Sequence, residues 1–190
     1  MDTGYIMIDG HHLCASINEV YKIRPQLRSK KLDITLLTNA LVELWLENID
    51  QATRVNFYFK KGDDRIHSVI NISDSRKPGY KDHWKIIECC ISIKEGVPDL
   101  ELEKLSSKYR DIFPKREKGV DIKLACDALL AVANNRVQNI VFLVNDRDYI
   151  PLFEAIEEQG GNAYLTALDS KQKIAKDLTD LADKFLTLDS

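Results

Sequence analysis

A chain of 190 residues has the length of one ordinary domain (residues 1–190) and can bury a core without disulfide support. Hydrophobic residues at 44% and charged residues at 30% exclude a disordered or fibrous chain, and a net charge of −3 excludes binding nucleic acid by bulk positive charge. No apolar run nears the ~18 residues needed to span a bilayer, and Met1-Asp2-Thr3-Gly4 has neither the basic start nor the apolar stretch of a leader, so a cytoplasmic location and no membrane partner are expected.

Tyr5-Ile6-Met7-Ile8, closed by Asp9-Gly10, predicts a short buried strand. His11, His12 and Cys14 follow as an H-H-x-C run, in which the plain role of the two histidines is that of loop residues. Leu32 to Leu46 carries apolar residues at helical spacing, with Asp33 or Thr35 as its cap. Val55 to Phe59 is β-branched and aromatic and predicts a second strand. Residues 62–82 are polar and contain Pro78-Gly79, which predicts an irregular loop and then a short helix near Lys81 to Lys85. A strand is expected over Ile86 to Ile93 and a helix over Asp99 to Tyr109, with a break at Phe113-Pro114. Lys118-Gly119-Val120-Asp121 opens a helix running to Ala133.

Asn139 to Val144 predicts a fully buried strand, and Asp148 to Gln159 a helix stopped at Gly160-Gly161. Ala163 to Ala167 reads as a strand, Ser170 to Asp183 as a helix, and Phe185 to Leu188 as an edge strand. Strands that are continuously apolar and alternate with helices imply a three-layer α/β/α sandwich with a central, mostly parallel sheet.

The cysteines Cys14, Cys89, Cys90 and Cys126 include no C-x-x-C pair, so buried reduced thiols are expected. Two stretches are locally basic: Lys104 to Lys123, with seven Lys or Arg against three acids, and Lys60 to Lys85. Each reads either as solvated surface or as a track for phosphates. There is no phosphate loop, no G-x-G-x-x-G and no G-x-S-x-G, which weighs against an NTPase, a dinucleotide enzyme or a serine hydrolase.

In a parallel sheet, ligands bind beyond the carboxyl ends of the strands. Asp9 ends the first strand, and Asp146 and Asp148 follow the strand ending at Val144. Asp121 lies at a helix start, which that same edge would bring to the others. Two carboxylates ~4 Å apart repel by ~1 kcal/mol in water and ~4 kcal/mol at an effective dielectric of 20, so raised pKa values or a bound cation must compensate. All-oxygen ligands suit Mg²⁺ or Mn²⁺, and such an ion equips a site for phosphodiester hydrolysis. The plainer roles are turns for Asp9 and Asp146 and helix caps for Asp121 and Asp148. Asp127 points about 120° away from Asp121 around its helix, which suits a supporting or structural role. His11 or His12 is a candidate to contact phosphate or orient a water, and Lys118, Lys123 and Arg147 are candidates for the phosphate backbone.

Three segments together resemble the NYN domain of the PIN-like nuclease superfamily, in its LabA-like (DUF88) branch: Ile6-Met7-Ile8-Asp9-Gly10, Lys118-Gly119-Val120-Asp121 through Asp127, and Phe142-Leu143-Val144-Asn145-Asp146-Arg147-Asp148-Tyr149-Ile150-Pro151-Leu152. The resemblance extends from residue 4 to about residue 188. It implies a Rossmann-like, PIN-like fold and a Mg²⁺- or Mn²⁺-dependent ribonuclease. Asp9, Asp121 and Asp146 would hold metal and Asp148 would support them, with single-stranded RNA as partner. His12 stands where the family pattern has Asn, and Asn145 and Arg147 replace small residues around the acids, which places Asn145 beside the site in support. The competing expectations are a non-cutting RNA- or protein-binding module and a small-molecule phosphatase; a homodimer is compatible with each.

Overall fold

The computed structural model describes residues 3–45, 47–49, 51–60, 63–71, 84–89 and 119–189. In chain order its elements are β1 (Thr3–Asp9), α1 (Gly10–Ile23), β2 (Leu32–Asp33), α2 (Ile34–Trp45), β3 (Gln51–Lys60), α3 (Asp64–Val69), β4 (Ile70–Asn71) and β5 (Trp84–Cys89). Then come α4 (Gly119–Ala133), β6 (Asn139–Leu143), a 3₁₀ turn (Arg147–Tyr149) like the one at Pro25–Leu27 after α1, α5 (Ile150–Glu158), β7 (Asn162–Ala167), α6 (Lys176–Leu181) and β8 (Lys184–Thr187).

Six strands form one sheet in the order β5-β3-β1-β6-β7-β8, and every neighbouring pair is parallel. β2 and β4 form a separate two-stranded parallel pair. Successive strand residues point to opposite faces, and the chain places apolar residues at both. Tyr5, Met7, Tyr58, Ile140 and Phe142 pack beneath α4, α5 and α6. Ile6, Ile8, Phe57, Val141 and Leu143 pack beneath α1, α2 and α3. Two cores around one sheet are the three layers that the continuous apolar strands imply.

The parallel order puts all carboxyl strand ends along one edge. It also makes a switch point: from β1 the chain builds outward through β3 and β5, then returns to lay β6 on the other side of β1. The crevice beyond the ends of β1 and β6 is where an open α/β sheet binds ligands. At its base Gly10 is required by close approach, since a Cβ there would lie 2.7 Å from the Tyr58 carbonyl oxygen and 2.9 Å from Phe59 Cβ. At the far end of α5, Gly160 takes φ 74° and stops the helix.

Four expectations need correction. The stretch holding His11, His12 and Cys14 is helix α1, not loop. Trp84 and Lys85 lie in β5, paired with Val55 and Asn56, not in a short helix. The helix expected over Ser170 to Asp183 is confined to Lys176–Leu181, because Gln172 Oε1 accepts from the Leu168 and Asp169 amides and Asp169 from the Lys171 amide. Cys126 is exposed, whereas Cys14 is buried, its thiol pushed up to about 11 chiefly by desolvation. The helix expected over Asp99 to Tyr109, the break at Phe113-Pro114, Cys90 to Ile93, Lys118 and most of both basic stretches lie outside the described residues. Among the described residues no helix is long and apolar enough to cross a membrane.

Candidate active site

Asp9 is the last residue of β1 and caps α1. Its Oδ1 accepts from the backbone amides of His11 (2.8 Å) and His12 (3.2 Å), the N-terminal donors that a helix leaves unpaired. Asp9 is only 5% exposed, and the helix N-terminus offsets its charge. Its Oδ2 accepts from the Tyr149 hydroxyl at 3.0 Å. Tyr149 is buried at the end of the 3₁₀ turn, and its hydroxyl also lies 3.4 Å from Asp121 Oδ1. One phenol thus spans carboxylates that are 112 residues apart in sequence, bringing the end of β1, the first turn of α4 and the segment after β6 together.

Asp121 is half-buried in the first turn of α4. Its pKa is pushed up to about 6 by burial first, then by the charges of Asp9 and Asp146, with the Tyr149 hydrogen bond opposing. Asp146 is exposed and caps the 3₁₀ turn, its Oδ1 accepting from the Asp148 amide at 3.1 Å. The charges of Asp9 and Asp146 act on both Asp121 and His12. Asp148 is exposed in the turn and meets Asp146 through its backbone N–H.

The donor chemistry fits a hard divalent cation: all oxygen and carboxylate-rich, with one member's pKa held up by burial and then by a neighbouring charge. As the side chains stand, no group of three or more His, Cys, Asp or Glu among the described residues is drawn together closely enough to hold an ion. The Tyr149 hydroxyl reaches both Asp9 and Asp121.

Around this pocket the sequence candidates separate. His12 pairs with Ser16 Oγ at 2.9 Å, and burial lowers its pKa against the opposing charges of Asp9, Glu19 and Asp146, which favours the neutral ring. Lys123 is ion-paired to Asp127 one turn on, and Asp127 also accepts from Tyr58 at 3.1 Å, beneath α4. Arg147 reaches outward to Asp177 on α6 at 3.3 Å, with both side chains more than half exposed. Asn145 turns from the acids to tie down the segment before α6, donating to the Lys173 carbonyl and accepting from the Ala175 amide, each at 2.8 Å.

Two features escaped sequence reasoning. One is Tyr149, visible only as an aromatic position beside the acids. The other is a cluster at the mouth of α1, where His11 Nε2 lies 2.7 Å from Asp63 Oδ2 and Arg65 clasps the same carboxylate through Nε and a terminal nitrogen. Arg65 above all, with His11, holds Asp63 well below the usual carboxylate range. The local signal was Asp63 at the cap position of a short helix.

A parallel three-layer sheet, with Tyr149 bridging Asp9 and Asp121 beside its switch point, defines an α/β protein of PIN-like architecture. The family model that matches the chain is the NYN domain, over residues 6–189, and the chain belongs to that family, which is one of PIN-like nucleases. Among curated proteins and among solved structures, nothing matches the chain.

Proposed function

We propose that this chain is a ribonuclease that hydrolyses phosphodiester bonds of single-stranded RNA with the help of Mg²⁺ or Mn²⁺, and that it stands in the LabA-like (DUF88) branch of the family. The observation that carries the proposal is Asp121, half-buried and held up to about 6 beside Asp9 and Asp146 at the switch point. Such a pocket concentrates negative charge where a ligand enters, an arrangement costly to stability and useful for holding a cation.

Asp9, Asp121 and Asp146 would hold the ion, with Asp148 beside them. When bound, a divalent cation lowers the pKa of a coordinated water and offsets the charge that builds on the phosphoryl oxygens. The chain supplies the rest. Asp9, fixed by three donors, gives the site a rigid floor. Neutral His12, already bonded to Ser16, orients water or a phosphate oxygen without adding charge. Arg147 and Lys123 exchange Asp177 and Asp127 for the RNA backbone; for the exposed Arg147 pair this sacrifices at most ~1 kcal/mol. Asn145 holds the loop that carries Asp146, and Asp127 anchors α4 to Tyr58, so both support the acids from outside. Attack of water on phosphorus in line with the departing oxygen breaks the P–O bond and leaves one new phosphate and one new hydroxyl end.

Asp146→Asn, a change at an exposed carboxylate, is expected to abolish cleavage of single-stranded RNA in Mn²⁺ while leaving the fold intact. Undiminished cleavage by the purified variant would overturn the proposal. RNA binding by the wild-type chain without turnover in either ion would replace it with a non-cutting binding module.

A further inference from the structure

Tyr149 has a role of its own at this site. Its ring belongs to the core under α5, beside Leu152 and Phe153, a task that phenylalanine would perform as well. The hydroxyl is what packing does not require. It sits in a buried position where an unpaired O–H would be costly, and it is spent on carboxylates from two other elements.

The geometry shows what that hydroxyl controls. An ionised carboxylate has about four acceptor positions. Two backbone amides take those on Asp9 Oδ1, and the Tyr149 hydroxyl takes one on Oδ2. Three of the four are thereby fixed, and the hydroxyl joins the two amides in setting how the carboxylate is turned about its last bond. Because the same hydroxyl lies 3.4 Å from Asp121 Oδ1, the oxygen it fixes on Asp9 is the one facing Asp121. A neutral donor is the group suited to this place. It holds two like charges side by side without cancelling them, where Lys or Arg would neutralise the pocket and displace a cation.

We propose that Tyr149 is a positioning residue: through its hydroxyl it presets Asp9 Oδ2 and Asp121 Oδ1 as a pair of ligand oxygens for a divalent cation. The inference rests on the metal-site reading above. Groups that orient metal ligands by hydrogen bonding, without touching the metal, typically contribute ten- to a hundredfold in affinity.

The test is a Mn²⁺ titration of the full chain, followed by the paramagnetic resonance signal of free Mn²⁺, for wild type, Tyr149→Phe, Asp146→Asn and Leu152→Ala. Tyr149→Phe removes one oxygen and is expected to raise the Kd for Mn²⁺ about ten- to a hundredfold. Leu152→Ala, a packing loss in the neighbouring turn, is expected to lower Tm without moving that Kd. It therefore separates positioning from mere weakening of the core. If Tyr149→Phe binds Mn²⁺ as tightly as wild type, while Asp146→Asn does not, the positioning role is overturned and the metal site stands. A Kd raised equally by Leu152→Ala also overturns it, as does a wild-type chain that takes up no Mn²⁺; only the last removes the metal-site reading as well.

Discussion

Replacing Asp121 by Asn should make the metal-free protein more stable, by an amount that depends on pH. In the folded chain the Asp121 pKa stands at about 6 against an ordinary 3.8. At ~1.36 kcal/mol per unit, that difference corresponds to at most about 3 kcal/mol. Asp121 is only half-buried, so solvent screening reduces the figure to about 1–2 kcal/mol. The sign follows from linkage. The folded state binds the proton more tightly than the unfolded one, so this contribution favours folding fully below about pH 4. It is lost as pH rises through about 6, where the charged carboxylate is left beside Asp9 and Asp146. The amide never acquires that charge. In a chelating buffer at about pH 8, Asp121→Asn should melt roughly 2–8 °C above wild type, given ~2–4 °C per kcal/mol for a chain of this size. The gap should close between about pH 6 and pH 4. Added Mn²⁺ should narrow it from the other side, by stabilising wild type alone. Calorimetric melts at three pH values, with and without the ion, suffice. A variant no more stable than wild type at pH 8, or a gap that does not change with pH, would refute the view that burial, with Asp9 nearby, holds the Asp121 pKa up.

Two further predictions concern the frame around the site. Trp45 Nε1–H donates to Thr166 Oγ1 at 2.8 Å between two fully buried side chains, so Thr166→Val, which orphans that donor, should cost about 1–3 kcal/mol in urea unfolding. A loss within experimental error would mean that the indole N–H finds another partner. Gly10→Ala drives a Cβ against the Tyr58 carbonyl and Phe59, and overpacking of this kind should cost about 1–3 kcal/mol by the same measurement; wild-type stability would show that the β1–α1 junction yields without strain.

The strands were legible because each is a short, continuous apolar run with a distinct stop. Ile6 to Ile8, Phe57 to Phe59 and Ile140 to Leu143 alternate faces, yet both faces are covered, so every position is apolar and the run stands out. α1 was hidden by its first turn, where Gly10, His11 and His12 look like loop. Its signal lay further on, in Leu13, Cys14 and Ile17 at helical spacing and in Asp9 as a cap. The overlong helix before β8 failed for the opposite reason. Asp169 and Gln172 satisfy backbone amides through their side chains, which competes with helical hydrogen bonds and leaves no periodic signature.

For the site, the sequence is informative about where the backbone delivers a residue and nearly silent about where its side chain goes. Asp9 and Asp146 follow strands that prove to be neighbours, and strand ends were readable. The run Asn145 to Tyr149 shows the other half of the problem. Its five residues turn to separate destinations: Asn145 to the segment before α6, Asp146 to its own turn, Arg147 to Asp177, Asp148 to solvent, and Tyr149 inward to Asp9. A 3₁₀ turn rotates ~120° per residue, so consecutive side chains cannot share a direction. Asp146 stands just before the turn in extended backbone and caps it, while Tyr149 at its end turns inward to Asp9. Arg147, one step on from Asp146, is carried away from it, and a basic residue beside an acid in sequence need not be its partner in space. The same reasoning holds for Lys123 and Asp127 on α4, which are four apart and pair with each other before either meets Asp121.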